Sequence, residues 1–245
     1  MAGAHDQLAN HLVACLAHRR TDSDRPFRHH IVVDAIPPDL QAGLRALSIA
    51  PRAMTGARAD NNATRVYFSP PFRAANPAAD RLARAFQDKR VVGAAIAACG
   101  ALLRSSYLLI ELACDSGPCE LRPHRDLGVK RFTALFYLND DPVLKNAGTD
   151  LYTPKTQRIP DIRDAVARGV DPARDCFEET TVRPPHGARF GYFFTPSDVS
   201  WHGFDRRSLD AVRKTIIVNY VGPTPSGETY RSVQNLAFPD EPVLS

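Results

Sequence analysis

The chain has 245 residues and a mass of 27.0 kDa, enough to bury a sizeable core in one large domain or two small ones. Its 44% hydrophobic and 24% charged residues exclude wholesale disorder, and no apolar run is long enough to span a bilayer. A formal net charge of +4, spread along the chain, is no nucleic-acid footprint. Leu12 to Ala17 is too short and too weakly apolar for a secretory core. The five cysteines are scattered, without a Cys-x-x-Cys pair, and read as reduced thiols. The expectation is a soluble, cytoplasmic protein that binds neither nucleic acid nor membrane.

The first hundred residues are Ala-rich with helical spacing. Residues 5–18 and 38–48 each predict an amphipathic helix, the second entered through Pro37 and Pro38. Residues 75–88 and 91–103 repeat the pattern, with Asn76-Pro77 as a start signal and Gly100 as an interruption.

From Ser105 onward short β-rich runs alternate with Gly, Pro, Asn and Asp. They are Tyr107–Ala113, Glu120–His124, Arg131–Leu138, Thr149–Thr153, Glu178–Val182, Ala188–Phe194 and Val212–Val221. Short strands at this spacing predict a sandwich or jelly roll with the helices packed outside one sheet. The polar stretch 154–177, with a short helix near 161–168, is the expected lid or pocket-lining insertion. The chain is accordingly divided as one domain: a helical buttress over 1–104, a β core over 105–222, and a C-terminal extension over 223–245.

The chemistry centres on Arg122-Pro-His-Arg-Asp126. Alternate residues of a strand share a face, so His124 and Asp126 point the same way. Two imidazoles and a carboxylate on one side of a metal form the facial set that suits Fe(II) and leaves positions open. Alone the pair means little, because chance supplies nearly one His-x-Asp in a chain with 8 His and this much Asp. A strand-end ion pair is the ordinary alternative.

Its context is more specific. Lys130-Arg-Phe-Thr-Ala-Leu-Phe-Tyr-Leu-Asn139 follows, then Ala147-Gly-Thr-Asp-Leu-Tyr152, then Pro184-Pro-His-Gly-Ala-Arg-Phe-Gly-Tyr-Phe-Phe194. A second histidine lies in Ser200-Trp-His-Gly-Phe204, and Arg213-Lys-Thr-Ile-Ile-Val-Asn-Tyr220 closes the series. From about Tyr107 to Val221 this order resembles the Fe(II)/2-oxoglutarate-dependent dioxygenases, in particular their small prolyl-hydroxylase-like branch. Ala147 stands where that family often has the first glycine of a pair, and Arg-x-Thr replaces its Arg-x-Ser.

The resemblance implies a double-stranded β-helix (jelly roll), mainly β with N-terminal helices on one sheet. It implies that His124, Asp126 and His202 hold Fe(II). Arg213 and Thr215 would grip the distal carboxylate of 2-oxoglutarate, whose planar geometry favours Arg over Lys; Tyr107 or Tyr137 would add a hydroxyl. With O2 as the second cosubstrate the products are succinate, CO2 and a hydroxylated aliphatic carbon. Asp126 argues against the related halogenases, which have a small residue there. Asn219, where the nucleic-acid-repair branch has a second Arg, argues against base demethylation.

Lys214 is the rival of Arg213, and strand alternation favours Arg213 because it shares a face with Thr215. Asn62, Arg65 and Arg131 are candidates to face the substrate, with structural roles as the alternative for each. His186, in a Pro-Pro-His-Gly turn, is expected to be exposed, and His29 and His30 are left off the metal. The expected substrate is a small molecule such as an amino acid or biosynthetic intermediate. A prolyl or other residue of a protein is the alternative within the class. Outside it stand a cupin-type metal-binding isomerase or sensor without 2-oxoglutarate, and a non-catalytic domain.

Overall fold

The computed structural model describes residues 4–51, 53–56, 65–103, 106–126, 128–179 and 181–222. The expected C-terminal extension lies outside them. Helix α1 (Ala4–Ala17) is followed by strands β1 (Arg20–Ser23) and β2 (His29–Val33), helix α2 (Pro38–Arg45), and two-residue strands β3 (Thr55–Gly56) and β4 (Val66–Tyr67). Helices α3 (Pro70–Ala75), α4 (Pro77–Phe86) and α5 (Lys89–Cys99) complete the helical layer. The expected helix over 75–88 is α4, opened by Pro77, whose missing backbone donor suits the first turn of a helix; the short α3 before it has no counterpart among the expected elements. Asp88 caps α5 by accepting from the Arg90 amide at 2.9 Å. Gly100 ends it at φ 67°, a left-handed conformation that glycine adopts without penalty.

Strand β5 runs unbroken from Tyr107 to His124, where the sequence suggested two strands. Gly117, at φ 68°, and three irregularities in its register with β9 let it bend instead of stopping. Then come β6 (Lys130–Tyr137), the short β7 (Asp150–Leu151), helix α6 (Ile159–Ala167), β8 (Phe190–Phe194) and β9 (His202–Val221). The described residues of the run Glu178–Val182 form no strand. Val182 only bridges Leu151 through a pair of backbone hydrogen bonds at 2.8 and 3.1 Å.

The strand order is β1-β2-β8-β6-β9-β5-β3, with β4 on β5 and β7 on β9. Every pairing is antiparallel except β3 with β5. The first half of β5 and the second half of β9 lie beside β6 and β8. Their other halves fold over into a second layer with β7 and β3, which makes the jelly roll. No helix among the described residues is long and apolar enough to cross a membrane.

Alternation divides the main layer into two faces. Leu108, Ile110, Leu112, Phe132, Phe136, Phe193, Ile216, Val218 and Tyr220 point to the helices and join Leu8, Leu12, Leu40, Leu82, Phe86 and Val92 in the principal core. Each such side chain contributes about 1.5–3 kcal/mol by leaving water. The opposite face, with Glu111, Ala113, Thr133, Leu135, Arg213, Thr215 and Ile217, lines an internal cleft.

The insertion 154–177 does not line that cleft. Ile162, Cys176 and Phe177 pack on Tyr152 and Trp201 in an apolar cluster of their own, which holds the segment to the outside of the second layer. Three of its arginines are spent on acids: Arg158 on Asp161 and Asp175, Arg168 on Asp164, and Arg174 on Asp205.

The close approach of β5 and β9 near the two histidines makes a definite demand. A Cβ at Gly203 would lie 2.5 Å from the Leu121 carbonyl oxygen and 2.8 Å from that of Arg122. Backbone cannot give way there as a side chain would. Gly203→Ala is therefore expected to destabilise the fold by about 1–3 kcal/mol, read as a lower denaturation midpoint in urea.

Candidate active site

The register of β5 with β9 places His124 directly opposite His202. Their rings lie 4.4 Å apart, centroid to centroid. Each has its Nδ1 at a backbone carbonyl, His124 on Arg122 at 2.8 Å and His202 on Ser200 at 2.9 Å. A carbonyl only accepts, so Nδ1 carries a proton in both rings, and Nε2 is the nitrogen that a metal would take. The same device has therefore aimed two donor nitrogens from neighbouring strands.

Asp126 arrives by another route. Strand β5 ends at His124, so alternation no longer governs the residue two places on. Thr133 on β6 instead donates its hydroxyl to Asp126 Oδ2 at 2.7 Å, and Lys130 donates Nζ to Oδ1 at 2.8 Å. These hold the buried carboxylate 4.0 Å from His202 Nε2. Burial by itself would raise the Asp126 pKa; Lys130, His202 and the Thr133 hydroxyl outweigh it and keep the group well below the usual carboxylate range. Among the described residues no three His, Cys, Asp or Glu side chains are gathered closely enough to hold a metal ion as they stand.

Arg213 and Thr215 extend along the same face of β9. Arg213 is 5% exposed, and its Nη1 donates to Asp115 Oδ2 at 2.6 Å across the β5–β9 ladder. The guanidinium also lies 5.6 Å from the Tyr137 ring centre and 5.2 Å from that of Phe204. Arg213 Nε and Thr215 Oγ1 are buried with no hydrogen-bond partner among the described residues. Lys214 turns to the other face, where its Nζ donates to the carbonyls of Arg45 and Leu47 at 2.6 and 2.9 Å and closes the end of α2. The rivalry between the two cations is settled by the pleat of the strand.

The remaining candidates divide. Arg65 lines the cleft, and its Nε lies 3.5 Å from Glu111 Oε2. Arg131 does not line it; its Nη1 donates to the Leu102 carbonyl at 3.1 Å, because the register of β6 with β9 shifts between Lys130 and Phe132. Tyr107 sits at the far end of β5 opposite Val221, beyond the cleft. Tyr137 is the tyrosine beside Arg213, opposite Thr215 on β6, and its hydroxyl accepts from the Thr149 amide at 3.0 Å. Asn62 lies outside the described residues.

Sequence reasoning passed over Glu111, Asp115 and Lys130. A signal was present: Glu111 and Asp115 interrupt or adjoin an otherwise apolar strand, and a charge in such a place needs a buried partner. His186 is another correction. It is half-buried with its ring 4.5 Å from Tyr137. Burial, with Arg213 and Arg207 nearby, pulls its pKa down to about 3. His29 and His30 are buried strand residues, His30 stacked on Phe193 at 4.9 Å.

His124, Asp126, His202, Arg213, Thr215, Arg65, Glu111 and Lys130 line one cleft of about 820 Å³ of atom-free space, its mouth included. No protein-family model matches the chain, and no curated protein matches it by sequence. Solved structures do match in fold. A prolyl hydroxylase from Trichoplax adhaerens, solved with a hypoxia inducible factor peptide, superposes at a TM-score of 0.52 with 12% identity, covering 94% of this chain and 93% of that one. A prolyl-4-hydroxylase from Pseudomonas putida gives 0.51 at 15% identity, over 89% of this chain and 100% of that one. HygX from Streptomyces hygroscopicus, solved with nickel and 2-oxoglutarate bound, gives 0.51 at 15% identity, over 79% and 82%. The chain has the fold of the 2-oxoglutarate-dependent oxygenases, in the small prolyl-hydroxylase-like form.

On this fold, two Nε2 nitrogens and an ionised carboxylate are the donor types that suit a divalent metal with open positions. The orphaned Arg213 Nε and Thr215 Oγ1 further along the cleft suit a carboxylate-bearing cosubstrate. Both groups therefore fit the residues present.

Histidines kept neutral by burial make stability depend on pH. In the unfolded chain they bind a proton below their ordinary pKa of 6.5, while in the folded protein His30 does so only near 4 and His186 only near 3. The unfolded state then binds more protons between these values, so stability falls as pH drops. The unfolding free energy is expected to decrease from pH 6.5 toward pH 4, and His186→Gln to flatten that slope in denaturant titrations.

Proposed function

We propose that the protein is an Fe(II)- and 2-oxoglutarate-dependent dioxygenase that hydroxylates an unactivated C–H bond of a small molecule. One observation carries the reading. His124, Asp126 and His202 meet in the cleft that also holds Arg213 and Thr215, whose Nε and Oγ1 have no partner among the described residues.

In this reading the two histidines and Asp126 would hold the iron, with Lys130 and Thr133 keeping the Asp126 carboxylate in place. Bound iron with 2-oxoglutarate and O2 supplies an oxidant able to take hydrogen from an aliphatic carbon, with succinate and CO2 released. The protein's own task is placement. Arg213 offers its fork to the distal carboxylate of the cosubstrate, Asp115 fixes the angle of that fork, and Thr215 donates a further hydrogen bond. Leu135, Ile217 and Phe204 exclude water from the centre and strengthen each of these contacts. Hydroxylation of a residue in a peptide is the second reading, favoured by the likeness in fold to prolyl hydroxylases.

Succinate release by anaerobically purified protein, given Fe(II), ascorbate and 2-oxoglutarate and then exposed to O2 with a pool of small metabolites, tests the reading. Asp126→Ala is expected to abolish it. Arg213→Ala is expected to raise the 2-oxoglutarate concentration for half-saturation about 10- to 100-fold, the loss of one or two charge-assisted hydrogen bonds. Metal-loaded protein that binds no 2-oxoglutarate would sink the proposal, and activity indifferent to Arg213→Ala would favour a cupin-type reaction without that cosubstrate.

A further inference from the structure

Three cation–acid pairs face the one cleft: Lys130 with Asp126 at 2.8 Å, Arg213 with Asp115 at 2.6 Å, and Arg65 with Glu111 at 3.5 Å. The first two are close hydrogen-bonded pairs that serve the proposed metal and cosubstrate ends. The third makes no hydrogen bond. Arg65 and Glu111 have side chains only 12% and 7% exposed, yet Arg65 Nε and Nη1 are buried with no hydrogen-bond partner among the described residues. Charges taken out of water without hydrogen bonds are costly, and neither of these helps pack the core. A buried donor left open toward a cleft is the usual trace of a ligand group that completes it.

The position suits a substrate. Glu111 stands opposite Ile217, which stands opposite Leu135, so the carboxylate lies on the cleft wall one strand away from the centre of the main layer. Strand β4 pairs with β5 through Val66–Leu112 and Tyr67–Glu111. Arg65, next along, comes level with Ala113, the neighbour of Thr215. The pair therefore flanks the row in which the cosubstrate carboxylate is placed, and both side chains line the same cleft as His124 and His202.

We propose that Arg65 and Glu111 are the substrate-recognition pair, and that the substrate is a small zwitterion bearing an ammonium and a carboxylate group, as an α-amino acid does. This rests on the oxygenase reading for the identity of the cleft. The substrate carboxylate takes the open donors of Arg65, and the ammonium donates to Glu111. The loose pair separates by little, and each member exchanges a poor partner for a hydrogen-bonded one. Arg213 does not compete for the substrate carboxylate, because in the oxygenase reading it holds that of the cosubstrate.

Calorimetric titration of the full chain, loaded with Mn(II) and 2-oxoglutarate under argon, tests this with the proteinogenic α-amino acids, their N-acetyl derivatives and their carboxamides. At least one free amino acid is expected to bind, and masking either charge to weaken it about tenfold or more, the loss of one charge-assisted hydrogen bond. Glu111→Gln is expected to abolish the preference over the N-acetyl form, and Arg65→Gln the preference over the carboxamide. The proposal is overturned if no free amino acid binds, if masked forms bind as well as free ones, or if both variants keep the wild-type preferences. The masked ligands need no variant, so a misfolded substitution does not blunt the test. Failure of the oxygenase reading registers separately, as absence of Mn(II)-dependent 2-oxoglutarate binding; the amino-acid titration is then judged by the same criteria without metal.

Discussion

The antiparallel register between β5 and β9 is the constraint on which the rest depends. Once Asp115 is opposite Arg213 and Ala113 opposite Thr215, the same two strands bring His124 opposite His202 after the bend at Gly117. A slip by one residue would turn every one of these side chains to the helical face. The apolar surfaces of Ile216, Val218 and Tyr220, fixed against the helices, forbid that slip. Core packing on one face thus sets the positions of the polar groups on the other.

Those polar groups are themselves a balanced set. A cleft holding Asp126, Asp115 and Glu111 in low dielectric is stable only because Lys130, Arg213 and Arg65 stand beside them. The balance also divides the labour. Cations closely held by acids can be placed accurately, whereas the looser Arg65–Glu111 pair leaves capacity for a partner from solution. The outer second layer is braced in a similar way by Asp150, fully buried and held by Arg183, Arg207 and the Asp205 amide.

Much of this was legible in the chain. Helical spacing located α1, α2, α4 and α5 to within a few residues, since an amphipathic stripe is a local property. The order His-x-Asp, then a strand, then the distal His, then Arg-x-Thr located the residues now found around one cleft. Errors arose where neighbours decided the outcome. Glu178–Val182 has strand composition but finds only a bridge to Leu151, and two predicted strands became β5 because a bend was mistaken for a break. His186 looked like a turn residue and is half-buried against Tyr137. The acids Glu111 and Asp115 were overlooked because their value lies in partners 46 residues upstream and 98 downstream.

The sequence by itself determined the alternation that puts Arg213 and Thr215 on one face and Lys214 on the other, and the chemical types of the three proposed ligands. Period and residue type are carried by each segment alone. Only the tertiary structure decided that Asp126 is held by Thr133 and Lys130 beyond the end of its strand, that Arg131 and the 154–177 insertion turn away from the cleft, and that Arg65 meets Glu111. Those outcomes depend on contacts between segments far apart in the chain, fixed by the register of the sheet and by the cost of burying a charge without a partner.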